Sequence, residues 1–243
     1  IYSNRSILLS SFSAKKDMFK FYNVKNKNIG VCNFTIDLDI KKITENNYKI
    51  KNKYKLEDEF IYIPNQFWKH KNHNIIFKMI LKIYESNKKL YNRLPKIYLS
   101  GLPKDDRNQS HIKSIFRNLN NSIVKQKVKY LGLIDLIDVY SLNMSCSFLI
   151  NPSFFEGWST TVEEAKSFGT FLMLSDIPVH REQYKNAIFF NPNHVDSLIE
   201  KIDEVLKEKK YLEVQNHDLK TFNQNRLDNF SNSFLKLLND SIN

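Results

Sequence analysis

Residues 154–165 read FFEGWSTTVEEA. A glycine follows a glutamate there, in a chain with five glycines among 243 residues, and a run suited to a helix begins directly after it. The stretch before it, CSFLINPS (146–153), is short and apolar and ends in Asn-Pro-Ser, the pattern of a buried strand running into a turn. Together they predict a strand-to-helix corner. Ser159, Thr160 and Thr161 can cap the helix, and Thr160 with Glu163, or Thr161 with Glu164, has capping-box spacing. Free amides at such a helix start, together with the positive end of its dipole, make a site for a phosphate or diphosphate. Gly157 lets a ligand approach the backbone closely. Glu156 and Glu164 are spaced about a ligand's breadth apart and do not pair, an arrangement that would suit a nucleotide sugar, with one carboxylate over the sugar and one on the ribose.

Working outward from the corner, strand-like runs alternate with helical ones. EFIYIPN (59–65), PKIYLSG (95–101), VKYLGLI (128–134), TFLMLSD (170–176) and AIFF (187–190) are each followed by an amphipathic or capped helical stretch. This alternation predicts an α/β fold with a doubly wound parallel sheet, Rossmann-like, which binds ligands at the carboxyl ends of its strands. Residues 1–40 carry a smaller unit, with SILLSSFSAKKDMFKFYNV (6–24) as a strand and helix and NIGVCNFTIDLDI (28–40) as a strand and turn. The polar, lysine-rich residues 41–56 read as a linker, 57–222 as the main domain, and 223–243 as a last helix with an apolar stripe through Phe230, Phe234, Leu237 and Leu238.

Composition narrows the classes. With 42% hydrophobic and 13% aromatic residues the chain can build a large core. No apolar run approaches the roughly 18 residues of a membrane helix. Cys32 and Cys146 lie far apart in apolar runs and suggest neither a disulfide framework nor a zinc site, which favours the cytoplasm. The net charge of +11 comes from lysines scattered through an Asn- and Ile-rich composition, clustered only at KHK (69–71) and KEKK (207–210). That pattern argues against nucleic acid and for attraction to a phosphate-bearing substrate or, peripherally, to the inner face of an anionic membrane.

The stretch NPSFFEGWSTTVEEAKSFGTFLMLSDIPVHRE (151–182) resembles the signature of the retaining glycosyltransferases of group 1, also called family 4, of GT-B fold. The matching features are Pro152-Ser153, Phe155-Glu156-Gly157, Glu164, the small-residue helix ending at Gly169, and Ser175 to Pro178. Lys71-Asn72 matches the family's Lys-Asn at the first helix of the donor domain. The arginine usual five positions before that lysine is Gln66 here, with Lys69 as its stand-in, and Trp158 and Ser159 replace the commoner Phe and Gly.

The resemblance implies a reaction in which a sugar passes from a nucleotide-sugar donor to a glycan or lipid-linked acceptor, with retention of anomeric configuration and without a metal or cofactor. It implies that Glu156 contacts the donor sugar and that Lys71 offsets charge on the departing diphosphate. The backbone of Gly157, Trp158, Ser159, Thr160 and Thr161 would hold sugar and diphosphate, Glu164 the ribose, and Gly132 would lie beside the base. It also casts 1–40 as the end of an N-terminal acceptor domain and 223–243 as a helix crossing back to it, so that this chain binds donor but turns over poorly.

Other readings compete residue by residue. Two carboxylates also serve glycosidases, but no separate sugar cleft is visible in the pattern. His70 and His73 share a helical face without a third metal ligand. Phe67 and Trp68 suit packing. Arg181 suits a ligand contact or a pair with Glu182. A sugar-nucleotide 2-epimerase shares the architecture but lacks the Phe-Glu-Gly corner, and a non-catalytic polyanion-binding module would draw on the basic charge alone.

Overall fold

The computed structural model describes residues 6–22, 24, 28–212 and 219–242. The parts of the sequence-read units at 1–5, 23, 25–27, 213–218 and 243 lie outside the described residues. The first unit is a small β-α-β: β1 (Ser6–Leu9), α1 (Phe12–Phe21) and β2 (Asn28–Val31), with β1 and β2 parallel in the register Ser6 to Asn28. Ser11 caps α1 by accepting from the Ala14 amide.

The polar stretch read as a linker is instead a helix, α2 (Ile40–Tyr54), capped at its start by Asp39. Only Ile43 and Ile50 of α2 are buried apolar residues. The rest of its packing on α7 (Leu136–Ser145) is polar: Asn46 donates to Asp138 and Ser141, each at 2.9 Å, and Tyr54 donates to Asp138 at 2.7 Å. Such a face lacks the apolar stripe by which helices are recognised in sequence.

The main sheet comprises β3 (Phe60–Ile63), β4 (Lys96–Leu99), β5 (Val128–Tyr130), β6 (Phe148–Asn151), β7 (Leu172–Ser175) and β8 (Ile188–Phe190). All six are parallel, in the order β5-β4-β3-β6-β7-β8. The chain winds outward from β3 in one direction, returns to β6 beside it and winds outward in the other. The switch point thus lies between β3 and β6, where the loops after their carboxyl ends diverge and leave a crevice.

Strand periodicity divides the core. Ile61 and Ile63 of β3 face one side, packed with α3 (Asn74–Ser86), α4 (Lys88–Arg93), α5 (Gln109–Leu119), α6 (Ser122–Lys125) and α10 (Val195–Glu208). Phe60 and Tyr62 face the other, packed with Ile50 of α2, Leu142 of α7 and Val162 and Ala165 of α8 (Thr160–Phe168). The apolar side chains of β3 are fully buried on both faces, as parallel strands require. The short α9 (Pro178–Gln183) follows β7, and α11 (Leu219–Ile242) runs from α8 to the small unit, where Leu237 lies against Gly30. No helix among the described residues is long and apolar enough to cross a membrane.

Candidate functional site

Two loops meet over the switch point. After β3, residues Lys69–Lys71 form a 3-10 turn ended by Asn72 in the left-handed region at φ 54, a conformation asparagine tolerates better than most residues. The Asn72 side chain donates to the carbonyls of Pro152 and Pro192, at 3.1 and 3.0 Å. After β6, the Phe154 amide donates to the His70 carbonyl at 2.7 Å. These bonds fix the two loops against each other and bring Lys71 Nζ to 2.6 Å from Glu156 Oε1, with 12% and 8% of the two side chains exposed. Ser153 Oγ lies 2.6 Å from the same carboxylate oxygen and 2.7 Å from Asn151 Oδ1.

The helix start is built differently from the capping box that the spacing suggested. Ser159 is the N-cap residue, yet its hydroxyl accepts from Asn151 Nδ2 at 3.0 Å and makes no bond to the helix. Its own amide donates to Gln183 Oε1. Glu163 turns away to Lys166, Gln183 and Arg226. The first intrahelical bond runs from the Glu163 amide to the Ser159 carbonyl at 3.1 Å, so the amides of Thr160, Thr161 and Val162 remain the orphan donors of the helix.

Thr160, Thr161 and Glu164 line a cleft of about 460 Å³ together with Lys71, Gln66 and Trp68, a volume suited to a small-molecule ligand. Its far end is formed by Ser100, Gly101 and Leu102 after β4 and by Leu133 and Ile134 after β5. Glu164 faces this cleft 9% exposed. Burial pushes its carboxyl up to about 7, because a charge is poorly solvated there.

The structure therefore gathers Glu156, Lys71, Gln66, Thr160, Thr161 and Glu164 at one crevice and separates other residues from it. Lys69 and His70 line an adjoining cleft with Asp105, Arg107 and Phe154. Trp158 reaches to the small unit: its Nε1 donates to the Phe34 carbonyl at 2.9 Å and its ring meets Phe34 edge-on. The Gly157 carbonyl accepts from Ser10 Oγ at 3.4 Å. A Cβ on Gly157 would meet only that hydroxyl, at 3.9 Å, so the glycine leaves its other side open. Gly132 adopts φ 87, and its carbonyl accepts from the Gly101 amide at 3.0 Å.

Two histidines, His73 and His180, are buried. His73 is fully buried beside Phe67, ring centroids 4.6 Å apart, and burial, aided by His111, pushes its pKa down to about 3. His180 is buried too, with Nδ1 2.9 Å from the Ser175 carbonyl. Arg181 pairs with Asp176 rather than with Glu182, which instead accepts from the Phe12 and Ser13 amides and so holds the start of α1. Among the described residues no three His, Cys, Asp or Glu side chains gather as a metal-ligand set.

Sequence reasoning missed Gly101, Asn151 and Gln183. Gly101, at φ 139, packs so closely on Asn65 that a Cβ would lie 2.5 Å from the Asn65 carbonyl oxygen. The available signal was a rare glycine two residues past a strand.

The fold and cleft define a Rossmann-like α/β unit with a helix start of unpaired amides at its switch point. Residues 44–221 match the model of the family described as glycosyl transferases group 1, and the chain belongs to that family. A comparison with curated proteins gives no match. Among solved structures, a glycosyltransferase from Rickettsia africae is 19% identical, over 96% of this chain and 60% of its own, with a TM-score of 0.70. HepE from Anabaena, in complex with UDP and glucose, is 13% identical, over 97% and 63%, with a TM-score of 0.76. An α,α-trehalose 6-phosphate synthase from Burkholderia multivorans is 10% identical, over 97% and 59%, with a TM-score of 0.75. The chain thus spans about three-fifths of the length of these structures, and at such identities the likeness is one of fold, that of the GT-B glycosyltransferases.

Proposed function

We propose that this chain binds the nucleotide-sugar donor of a retaining glycosyltransferase, whose acceptor is a glycan or a lipid-linked molecule. The observation that carries the reading is the cleft at the switch point, with the free amides of α8 and Lys71 at one side and Glu164 within it. The donor's diphosphate lies at the start of α8, where amides and helix dipole meet its charge. The ribose hydroxyls donate to Glu164, and the base extends toward Leu102 and Leu133. HepE, of similar fold, is the complex that carries UDP and glucose.

The chemistry follows from the pair above the sheet. As the glycosidic bond breaks, negative charge builds on the departing diphosphate, and Lys71 stands where it can meet that charge. Its ammonium has three donors, enough to hold Glu156 and a phosphate oxygen together. Glu156, fixed by Lys71 and Ser153, accepts from hydroxyls of the donor sugar. Retention of configuration and the freedom from metal rest on the sequence signature. The basic surface suits an anionic membrane face as the place of assembly.

Calorimetric titration with UDP, GDP and ADP, without metal, tests the reading. One diphosphate should bind one per chain, and Glu164→Ala should weaken it at least tenfold. Absence of binding by all three, with salt-sensitive binding of heparin instead, would overturn it in favour of a polyanion-binding module.

A further inference from the structure

Glu163 and Glu164 are consecutive, and α8 sets them about 100° apart around its axis, on different faces. Glu164 faces the cleft. Glu163, buried on its own face, receives Arg226 from α11, Lys166 at 2.8 Å and Gln183 Nε2 at 2.8 Å. Arg226 also donates to Ser167 Oγ at 2.8 Å and to the Glu163 carbonyl at 3.3 Å. Gln183, in turn, grips the N-cap of α8 from both sides: its Nε2 donates to the Ser159 carbonyl at 2.8 Å and its Oε1 accepts from the Ser159 amide at 3.2 Å.

We infer that Glu163 and Arg226 are positioning residues, which lock the helix start used for the donor to α11 and α9 so that its free amides and Glu164 keep a fixed orientation toward the cleft. This deepens the donor-binding reading and rests on it. The charges make the case specific. A carboxylate this deeply buried needs partners, and both of its cations are themselves mostly covered, 13% of each side chain exposed. A guanidinium that bonds the Glu163 side chain, the Glu163 carbonyl and Ser167 Oγ fixes the rotation of α8 about its axis as well as its distance, which an apolar contact cannot do. One turn of α8 sets both ends of the device: rotation that freed Glu163 from Arg226 would carry Glu164 and the Thr160 and Thr161 amides away from the cleft. The same α11 lies against the small unit, where Leu237 packs on Gly30 and the Phe230 carbonyl faces Cys32 Sγ.

The test compares Arg226→Met and Glu163→Gln with Leu237→Ala, which loosens α11 far from α8. Each is titrated with whichever of UDP, GDP and ADP binds the unaltered chain, and each is melted thermally. Arg226→Met and Glu163→Gln should each weaken the diphosphate at least tenfold, whereas Leu237→Ala, even at an equal loss of melting temperature, should change affinity less than twofold. Arg226→Lys should recover part of the loss. Equal weakening by Leu237→Ala, or no weakening by Arg226→Met, would overturn the inference. If no diphosphate binds the unaltered chain, the donor reading fails by itself. Hydrogen exchange at the Glu163 and Glu164 amides then decides: faster exchange in Arg226→Met than in Leu237→Ala supports the lock, and equal exchange refutes it.

Discussion

Lys71 Nζ and Glu156 Oε1 meet at 2.6 Å across the switch point between β3 and β6, eighty-five residues apart in the chain. Because both groups are mostly buried, removing one leaves the other poorly solvated. Lys71→Met and Glu156→Gln should each destabilise the protein by about 2 kcal/mol, less than a fully buried pair would lose. The double variant should lose clearly less than the sum. Urea denaturation of the four proteins gives the coupling, and simple additivity would show that the pair does not act as a unit.

The buried carboxyl of Glu164 makes stability and binding respond to pH in opposite senses. Burial raises it from 4.5 to about 7 in the folded chain. Below about pH 4.5 the group is protonated whether the chain is folded or not, and it contributes nothing. Between about pH 4.5 and 7 the unfolded chain releases a proton that the folded chain keeps, so stability falls as pH rises, by on the order of 3 kcal/mol in all. Glu164→Gln should therefore be more stable than the unaltered protein near pH 8 and equal to it near pH 4. Affinity for a nucleoside diphosphate should rise through pH 7 as the carboxylate forms to accept ribose hydroxyls, and that rise should be smaller in the glutamine variant. Thermal melts and titrations at matched pH values check both.

The main sheet was readable because its strands are buried on both faces, which leaves continuous apolar runs such as FIYI and FLIN. The corner was readable because its working parts are close in sequence, with Glu156, Thr160, Thr161 and Glu164 on one loop and one helix start. What failed to show were contacts made at a distance. Nothing near Trp158 announces the Phe34 carbonyl as its partner, and a capping box at Thr160 looks sound until Arg226, sixty-three residues beyond Glu163, draws that carboxylate away. Helix α2 went unread for a different reason, since it is anchored by Asn46, Lys53 and Tyr54 on Asp138 and by only two buried isoleucines.

That polar anchor has its own pH signature. Burial works to raise the Asp138 carboxyl, but hydrogen bonds from Lys53, Asn46 and Tyr54 outweigh it and hold the group below the usual aspartate range. A carboxyl depressed in this way contributes stability above its unfolded pKa, about 3.9, and loses it as pH falls through the lower folded value. Asp138→Asn should cost about 1–3 kcal/mol near pH 7, with the deficit shrinking below about pH 4. Urea melts at the two pH values measure it. A variant as stable as the unaltered protein near pH 7 would mean that the bonds to Asp138 are not what hold α2.

Gly101 and Gly132 both have positive φ at strand ends beside the cleft, yet they differ in surroundings. A Cβ on Gly132 would meet nothing within 4 Å, whereas one on Gly101 would lie 2.5 Å from the Asn65 carbonyl oxygen and 2.8 Å from its carbon. Gly132→Ala should therefore cost only the backbone strain, about 1–2 kcal/mol. Gly101→Ala adds overpacking against backbone that cannot swing aside, for about 3–5 kcal/mol in total, and it pushes the β3 loop that carries Gln66 and Lys71. Gly101→Ala should accordingly lose diphosphate binding at temperatures where it is still folded, while Gly132→Ala should lose less. Melting curves paired with calorimetric titration separate the two, and equal behaviour of both variants would show that the contact of Gly101 with Asn65 is not what shapes the cleft.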